Sequence, residues 1–193
     1  MTIFTGGAIE TFLTNQGDVF LWIQPKATSR VFELHRHDEP FGTLEFRSMW
    51  GTLAWSKDPI QNWSFKRVGF LTPHITVRMP DADSDYALFD PKVFGGGMLH
   101  TPDGRPYRWE PLNNWHTKWR FTDNKGAPVL SFEQDAEEFK LSDLFSIQAA
   151  VCVETSRITN LEFSMLANLG FYLVVLNAMD SSAAAAAAAA SAI

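Results

Sequence analysis

Nineteen residues late in the chain, Leu161 to Met179 (LEFSMLANLGFYLVVLNAM), form a nearly uninterrupted apolar stretch. A helix that is apolar on every side must be surrounded, either by protein or by lipid. At 1.5 Å per residue the stretch is about 28 Å long, close to the ~30 Å hydrocarbon core of a bilayer. The same length fills a closed β-barrel from end to end. Glu162, Asn168 and Asn177 interrupt the stretch, and no Lys or Arg follows it from Asp180 onward to anchor a membrane span. A barrel interior accommodates such polar groups where they reach strand ends or internal partners. Burial in a barrel is therefore the expectation, and a C-terminal tail anchor with Leu161 to Met179 in the bilayer is the alternative.

Positions 8 to 155 read as β-structure, in short segments of period-two alternation separated by turn residues. They are VFLWIQ (Val19 to Gln24), RVFELHRH (Arg30 to His37, closed by DEPFG), LEFRSMW (Leu44 to Trp50), TLAWS (Thr52 to Ser56), NWSFKRVGF (Asn62 to Phe70), HITVRM (His74 to Met79) and YALFD (Tyr86 to Asp90). The passage MLHTPDGRPYRWEPLNNWHTKWRFTDNKGAPVLSFEQ adds two turn signals, TPDG and DNKG, each between β-rich segments. In HTKWRFT, Thr117, Trp119 and Phe121 share one face, and His116, Lys118 and Arg120 the other. About a dozen strands at this spacing imply a barrel or a sandwich. Seven Trp and sixteen Phe suit strands that face a large interior. No helix is expected before Glu154, and Thr159 or Asn160 is placed to cap the terminal one.

The 193 residues are enough for one domain, 1–180, followed by an Ala-rich tail, 181–193, expected as disordered or frayed helix. Sixteen basic residues against 22 acidic ones argue against a nucleic-acid partner held by global charge. The lone Cys152 permits no intramolecular disulfide, fits a reducing compartment and reads as a small buried hydrophobe. The N-terminal MTIFTGGAIETFLTNQGD lacks the basic and apolar regions of a signal peptide. The expected location is cytoplasmic, peripheral to a membrane.

The strands YRWEP, HTKWRFTDNKG and PVLSFE, followed by ANLGFYLVVLNAMD, resemble the tubby C-terminal-like superfamily. That group includes tubby proteins, plant LURP-one-related proteins and phospholipid scramblases. The pattern W-x-F-x-D-x-x-G-x-P from Trp119 to Pro128 is similar to its strand-turn-strand, and the specific part of the likeness covers Gly97 to Asp180. The resemblance implies an all-β, closed antiparallel barrel of about twelve strands with a hydrophobic C-terminal helix through its centre. It also implies binding of anionic membrane phospholipids by their headgroups, without a cofactor and without enzyme chemistry. The nearest equivalents of the basic residues that serve this in tubby proteins are Arg105, Arg108, Lys118 and Arg120, with Lys125 extending the patch and Glu110 close by. Each such cation near an anionic membrane is worth about 1 kcal/mol.

Other constellations have plainer readings. His35 and His37, at i and i+2 on a strand, point the same way, and with Glu45 they form the first half of a cupin-like metal site. The third histidine such a site needs is missing: after GGMLHTPDG stand Arg105, Pro106 and Tyr107. The acidic run Asp81 to Asp85 imitates a calcium loop but has Tyr86 and Lys92 where Gly and Glu are required. Gly95, Gly96 and Gly97 lack a following G-K-[ST] and read as a turn or bulge. No G-x-S-x-G occurs, and Glu137 and Glu138 alternate faces on a strand. Trp109, Trp115, Trp119 and Phe121 read as core packing. The competing functions are a non-catalytic barrel touching phospholipid headgroups, a cupin-like metalloenzyme using His35 and His37, and a tail-anchored membrane protein.

Overall fold

The computed structural model describes residues 14–49, 51–80, 82–92, 95–134 and 147–191. Twelve strands are followed by one helix: β1 (Val19–Ile23), β2 (Val31–Arg36), β3 (Glu39–Phe46), β4 (Ala54–Lys57), β5 (Asn62–Val68), β6 (His74–Arg78), β7 (Ala87–Pro91), β8 (Gly97–His100), β9 (Tyr107–Pro111), β10 (Lys118–Thr122), β11 (Pro128–Glu133), β12 (Ala149–Val153) and α1 (Asn160–Ser191). Each strand pairs antiparallel with its neighbours in sequence, and β1 pairs with β12 to close the barrel. Closure removes the edges that an open sheet of this size would expose.

Alternation sets which face is inside. In β1, Phe20 and Trp22 are buried while Val19 and Leu21 are exposed; in β10, Trp119 and Phe121 point inward and Lys118 outward. The β2–β3 connection is shorter than the expected DEPFG turn. It is the two-residue turn His37–Asp38, with φ of 50° and 66°, and Glu39 to Gly42 already belong to β3. Two successive left-handed residues are what such a hairpin turn requires, and Asp tolerates that conformation better than most.

The apolar stretch is the barrel's core. Phe163 to Leu176 of α1 are all buried, with no solvent-facing side. Strand aromatics pack on it directly: Trp22 stacks on Phe171 at 4.5 Å, Phe46 on Tyr172 at 5.5 Å, and Phe20 meets Phe163 at 4.7 Å. By length and composition α1 could cross a membrane, yet 78% of that apolar window is buried inside the barrel. Beyond Met179 the Ala-rich run, expected as a frayed tail, continues the same helix to Ser191 with exposed side chains. Alanine has the highest intrinsic helix propensity, and nothing in the run breaks the ladder.

Ser164, the Asn168 amide nitrogen and Tyr172 are met from the strands and their connections, while Asn168 Oδ1 is buried without a partner among the described residues. Ser164 Oγ donates to Asp58 Oδ2 at 2.6 Å and accepts from Trp63 Nε1 at 2.8 Å. Asn168 Nδ2 donates to the same Asp58 oxygen at 2.9 Å and to the Ser164 carbonyl at 2.7 Å. The Tyr172 hydroxyl donates to the Thr52 carbonyl at 2.6 Å. These bonds fix rotation and depth of a helix whose apolar surface alone would slide.

Thr159 and Glu162 form a capping box. Glu162 N–H donates to Thr159 Oγ1 at 3.2 Å, and Thr159 N–H donates to Glu162 Oε2 at 2.9 Å. The Tyr107 hydroxyl and Arg105 Nη2 also reach Glu162 Oε1, at 2.5 and 2.9 Å. Burial pushes the Glu162 carboxyl up, but the hydrogen bonds from Tyr107 and Thr159 outweigh it and hold the group below its ordinary value. A depressed carboxyl stabilises the fold above its unfolded pKa and loses that contribution as pH falls through its folded pKa. Glu162→Gln should therefore lower stability at neutral pH by about 1–3 kcal/mol. Its stability should also fall less steeply in acid than the wild type's, as denaturant titration across acidic pH will measure.

Candidate membrane-facing site

The helix gives the barrel two distinct ends. It enters beside Asp58, Tyr107 and Arg105 and leaves beside Thr52, Arg67 and Arg30. At the exit, Arg67 holds Asp180 in a two-pronged pair at 2.7 and 3.0 Å, and Arg30 Nη2 lies 3.0 Å from Met179 Sδ. With strands alternating up and down, the β2–β3, β4–β5, β6–β7, β8–β9 and β10–β11 connections lie at the entry rim. The β1–β2, β3–β4, β5–β6, β7–β8 and β9–β10 connections and the described ends of the β11–β12 connection lie at the exit rim.

The late-strand cations are placed outward, as the alternation requires, but most are engaged. Arg120 Nε donates to Glu110 Oε1 at 2.8 Å, and Lys118 Nζ pairs with Glu133. Both carboxylates sit directly across the ladder from their partners. Arg105 is held between Asp103 and Glu162. The Asp103 carboxyl is held below its usual range by the Thr101 hydroxyl and then by Arg105. Arg108 and Lys125 have no carboxylate within ion-pair distance among the described residues. They line an open cleft of about 360 Å³ with Met98, Pro106, Asp123, Asn124 and Gly126 on the entry side of the barrel. Asp123 Oδ1 is already spent on the backbone N–H groups of Lys125 and Ala127, both at 2.8 Å.

The metal constellation does not assemble. His37 is a turn residue rather than a strand residue, so it does not share a strand face with His35. His35 Nε2 is 3.0 Å from Glu33 Oε2, and Glu45 pairs across from Val31, four positions up the strand from His35. Among the described residues no group of three or more His, Cys, Asp or Glu is placed to hold a metal ion. In the acidic turn Asp85 is taken by Arg78 Nε, and Asp81 lies outside the described residues. Gly97 packs against Phe89, whose ring a Cβ would meet at 2.1 Å, which accounts for a glycine there without a phosphate. Cys152 is half-buried on an outward position of β12, and burial, then Glu154, pushes its thiol up. Trp115, expected in the core, is 86% exposed. Glu137 and Glu138 lie outside the described residues.

Among the described residues of the connections, charge and apolar surface are segregated along the barrel axis. The described residues of the entry-side connections carry Asp38, Asp58, Asp83, Asp85, Asp103, Asp123 and Glu154 against Arg105, Lys125 and Arg157. The described residues of the exit-rim connections contain no Asp or Glu but do contain Lys26, Arg30, Arg47 and Lys92. Asp135, Glu137, Glu138 and Asp143 fall in the β11–β12 connection, outside the described residues. The large hydrophobics exposed in the described connections, Met49, Phe70, Leu71, Leu112 and Trp115, all belong to the exit rim.

No family model, curated protein or solved structure matches the chain.

Proposed function

We propose that this protein is a non-catalytic barrel that binds anionic phospholipid headgroups at the cytoplasmic face of a membrane, with its exit rim towards the lipid. The supporting observation is the charge segregation among the described residues of the connections. A net charge of −6 opposes approach to an anionic surface in a random orientation. With the exit rim foremost, Lys26, Arg30, Arg47 and Lys92 lead and the entry-side carboxylates trail at the far end of the barrel. Four cations at about 1 kcal/mol each give a weak, reversible attraction after entropy costs. The tubby-like resemblance of the late strands points to the same ligand class. Of its four nearest basic residues, Arg105, Lys118 and Arg120 are committed to carboxylates and are assigned a minor part, and Arg108 lines the entry-side cleft, away from the exit rim.

Co-sedimentation with vesicles tests this. Pelleting is expected with vesicles containing phosphatidylserine or phosphoinositide and not with phosphatidylcholine alone. It should weaken with salt, since the field reaches only ~8 Å at physiological ionic strength. Arg47→Glu with Lys92→Glu should cut the bound fraction at least about tenfold, while Lys118→Glu with Arg120→Glu should change it little. Equal, negligible pelleting with both vesicle types contradicts the proposal.

A further inference from the structure

The exit rim carries more than charge. Three of its connections each push a large apolar side chain into solvent, and each is braced from within. In the β5–β6 loop Phe70 and Leu71 are 97% and 88% exposed. They follow Gly69, whose φ of +88° and close approach to the Thr72 carbonyl, 2.6 Å from where a Cβ would stand, turn the chain sharply outward. In the β9–β10 loop Asn113 ties the base: its Oδ1 accepts from Thr117 N–H at 3.0 Å and its Nδ2 donates to Thr117 Oγ1 at 2.7 Å. Trp115 projects from that knot beside His116 at φ +54°. In the β3–β4 loop Arg30 Nη1 donates to the Met49 carbonyl at 2.7 Å, and Gly51 N–H donates to Ser48 Oγ at 2.9 Å.

We infer that this crown enters the interfacial layer of an anionic bilayer, with Phe70, Leu71 and Trp115 as its anchors. The inference rests on the headgroup reading above and adds a hydrophobic, orientation-fixing contact to it. Several features select a lipid surface as the occupant. The apolar tips stand on separate loops around the rim, β3–β4 and β5–β6 on one side of the helix and β9–β10 on another, rather than in one groove. Cations stand among them. The centre of the rim is occupied by α1, which continues outward through Ser181–Ser191 for roughly 16 Å. That extension is uncharged after Asp180, and its backbone is hydrogen-bonded within the helix. A lipid interface accepts an uncharged helix with satisfied backbone groups among apolar tips and basic flanks. The headgroup layer matches the cations, and the boundary beneath it matches Trp and Phe.

The test uses the full chain with Phe70→Ser, Leu71→Ser and Trp115→Ser, singly and together. These residues are exposed, so melting temperatures should stay at the wild-type value. On phosphatidylserine vesicles the triple variant should lose at least about tenfold in partition coefficient, beyond what high salt removes from the wild type. Brominated acyl chains should quench part of the wild-type tryptophan emission, and Trp115→Phe should remove most of that quenching. Soluble glycerophosphoserine should not compete at concentrations equal to the lipid. If the wild type ignores anionic vesicles, the headgroup reading falls and the insertion with it. If the wild type binds while the triple variant binds equally well and bromolipid leaves the emission unchanged, the insertion alone is overturned. A concentration-dependent dimer without lipid that the triple variant abolishes would reassign the crown to a second copy of the chain and equally overturn it.

Discussion

Gly170→Ala is expected to destabilise the protein by about 2 kcal/mol or more, although alanine is the better helix former by about 1 kcal/mol. The residue lies in the fully buried part of α1, where an added Cβ would stand 2.2 Å from Cζ and 2.7 Å from Cε2 of Phe132. Phe132 is itself enclosed and meets Trp109 edge-on at 5.2 Å, so it has nowhere to retreat. Overpacking of this kind costs about 1–3 kcal/mol and sometimes more, and here it must also cancel the propensity gain. For a chain of this size the melting temperature should fall by several degrees, on the order of 2–4 °C per kcal/mol. Thermal unfolding followed by circular dichroism checks it. A melting temperature equal to or above the wild type's would mean that α1 does not thread the barrel, because a helix lying free of the strands gains from the substitution.

Asp58→Ala should cost more, about 3–5 kcal/mol, since each buried donor left without a partner costs about 1–3 kcal/mol. One carboxylate oxygen accepts from Ser164 and Asn168 on the helix, and the other accepts from Ile60 N–H at 2.8 Å and Gln61 N–H at 3.0 Å in its own turn. The side chain thus joins the β4–β5 turn to the buried helix. In a double-mutant cycle with Ser164→Ala, the loss from Asp58→Ala should shrink by about 1 kcal/mol or more, as it does for side chains in one network. Additive losses would show that the two residues do not act together. Chemical denaturation of the four proteins supplies the numbers.

The architecture was legible because two periodicities are unambiguous in this chain. Residues 161–179 are apolar at every helical angle, which only enclosure satisfies, and HTKWRFT alternates cleanly between Trp119 or Phe121 and Lys118 or Arg120. Residue type narrowed the helix cap to Thr159 or Asn160, and the structure gives Thr159. The rims were not legible, for identifiable reasons. Phe70 read as the end of a strand and Trp115 as core, because an apolar residue beside a turn looks alike whether it points in or out. The left-handed Gly69 and the Asn113 knot decide the matter, and they are visible only once the loop is built. Pro40 and Gly42 made DEPFG look like a turn, whereas the chain turns one step earlier, at His37–Asp38. The pairing of Lys118 with Glu133 and of Arg120 with Glu110 depends on strand register, which alternation alone does not fix. Nothing in KDPIQN singles out Asp58, because its partners are more than a hundred residues away on α1.

The orientation of the barrel on a bilayer tests the account most directly. With Cys152→Ser removing the native thiol, a nitroxide is attached at Phe70→Cys on the exit rim or at Asp103→Cys on the entry rim, and the protein is bound to phosphatidylserine vesicles. Collision with lipid-soluble oxygen is compared with collision with a water-soluble nickel complex at each site. The account predicts that the label at 70 gains oxygen contact and loses nickel contact on binding, while the label at 103 keeps its aqueous signature. A label at 103 that moves into the lipid, or a label at 70 that stays fully accessible to nickel on bound protein, would contradict it.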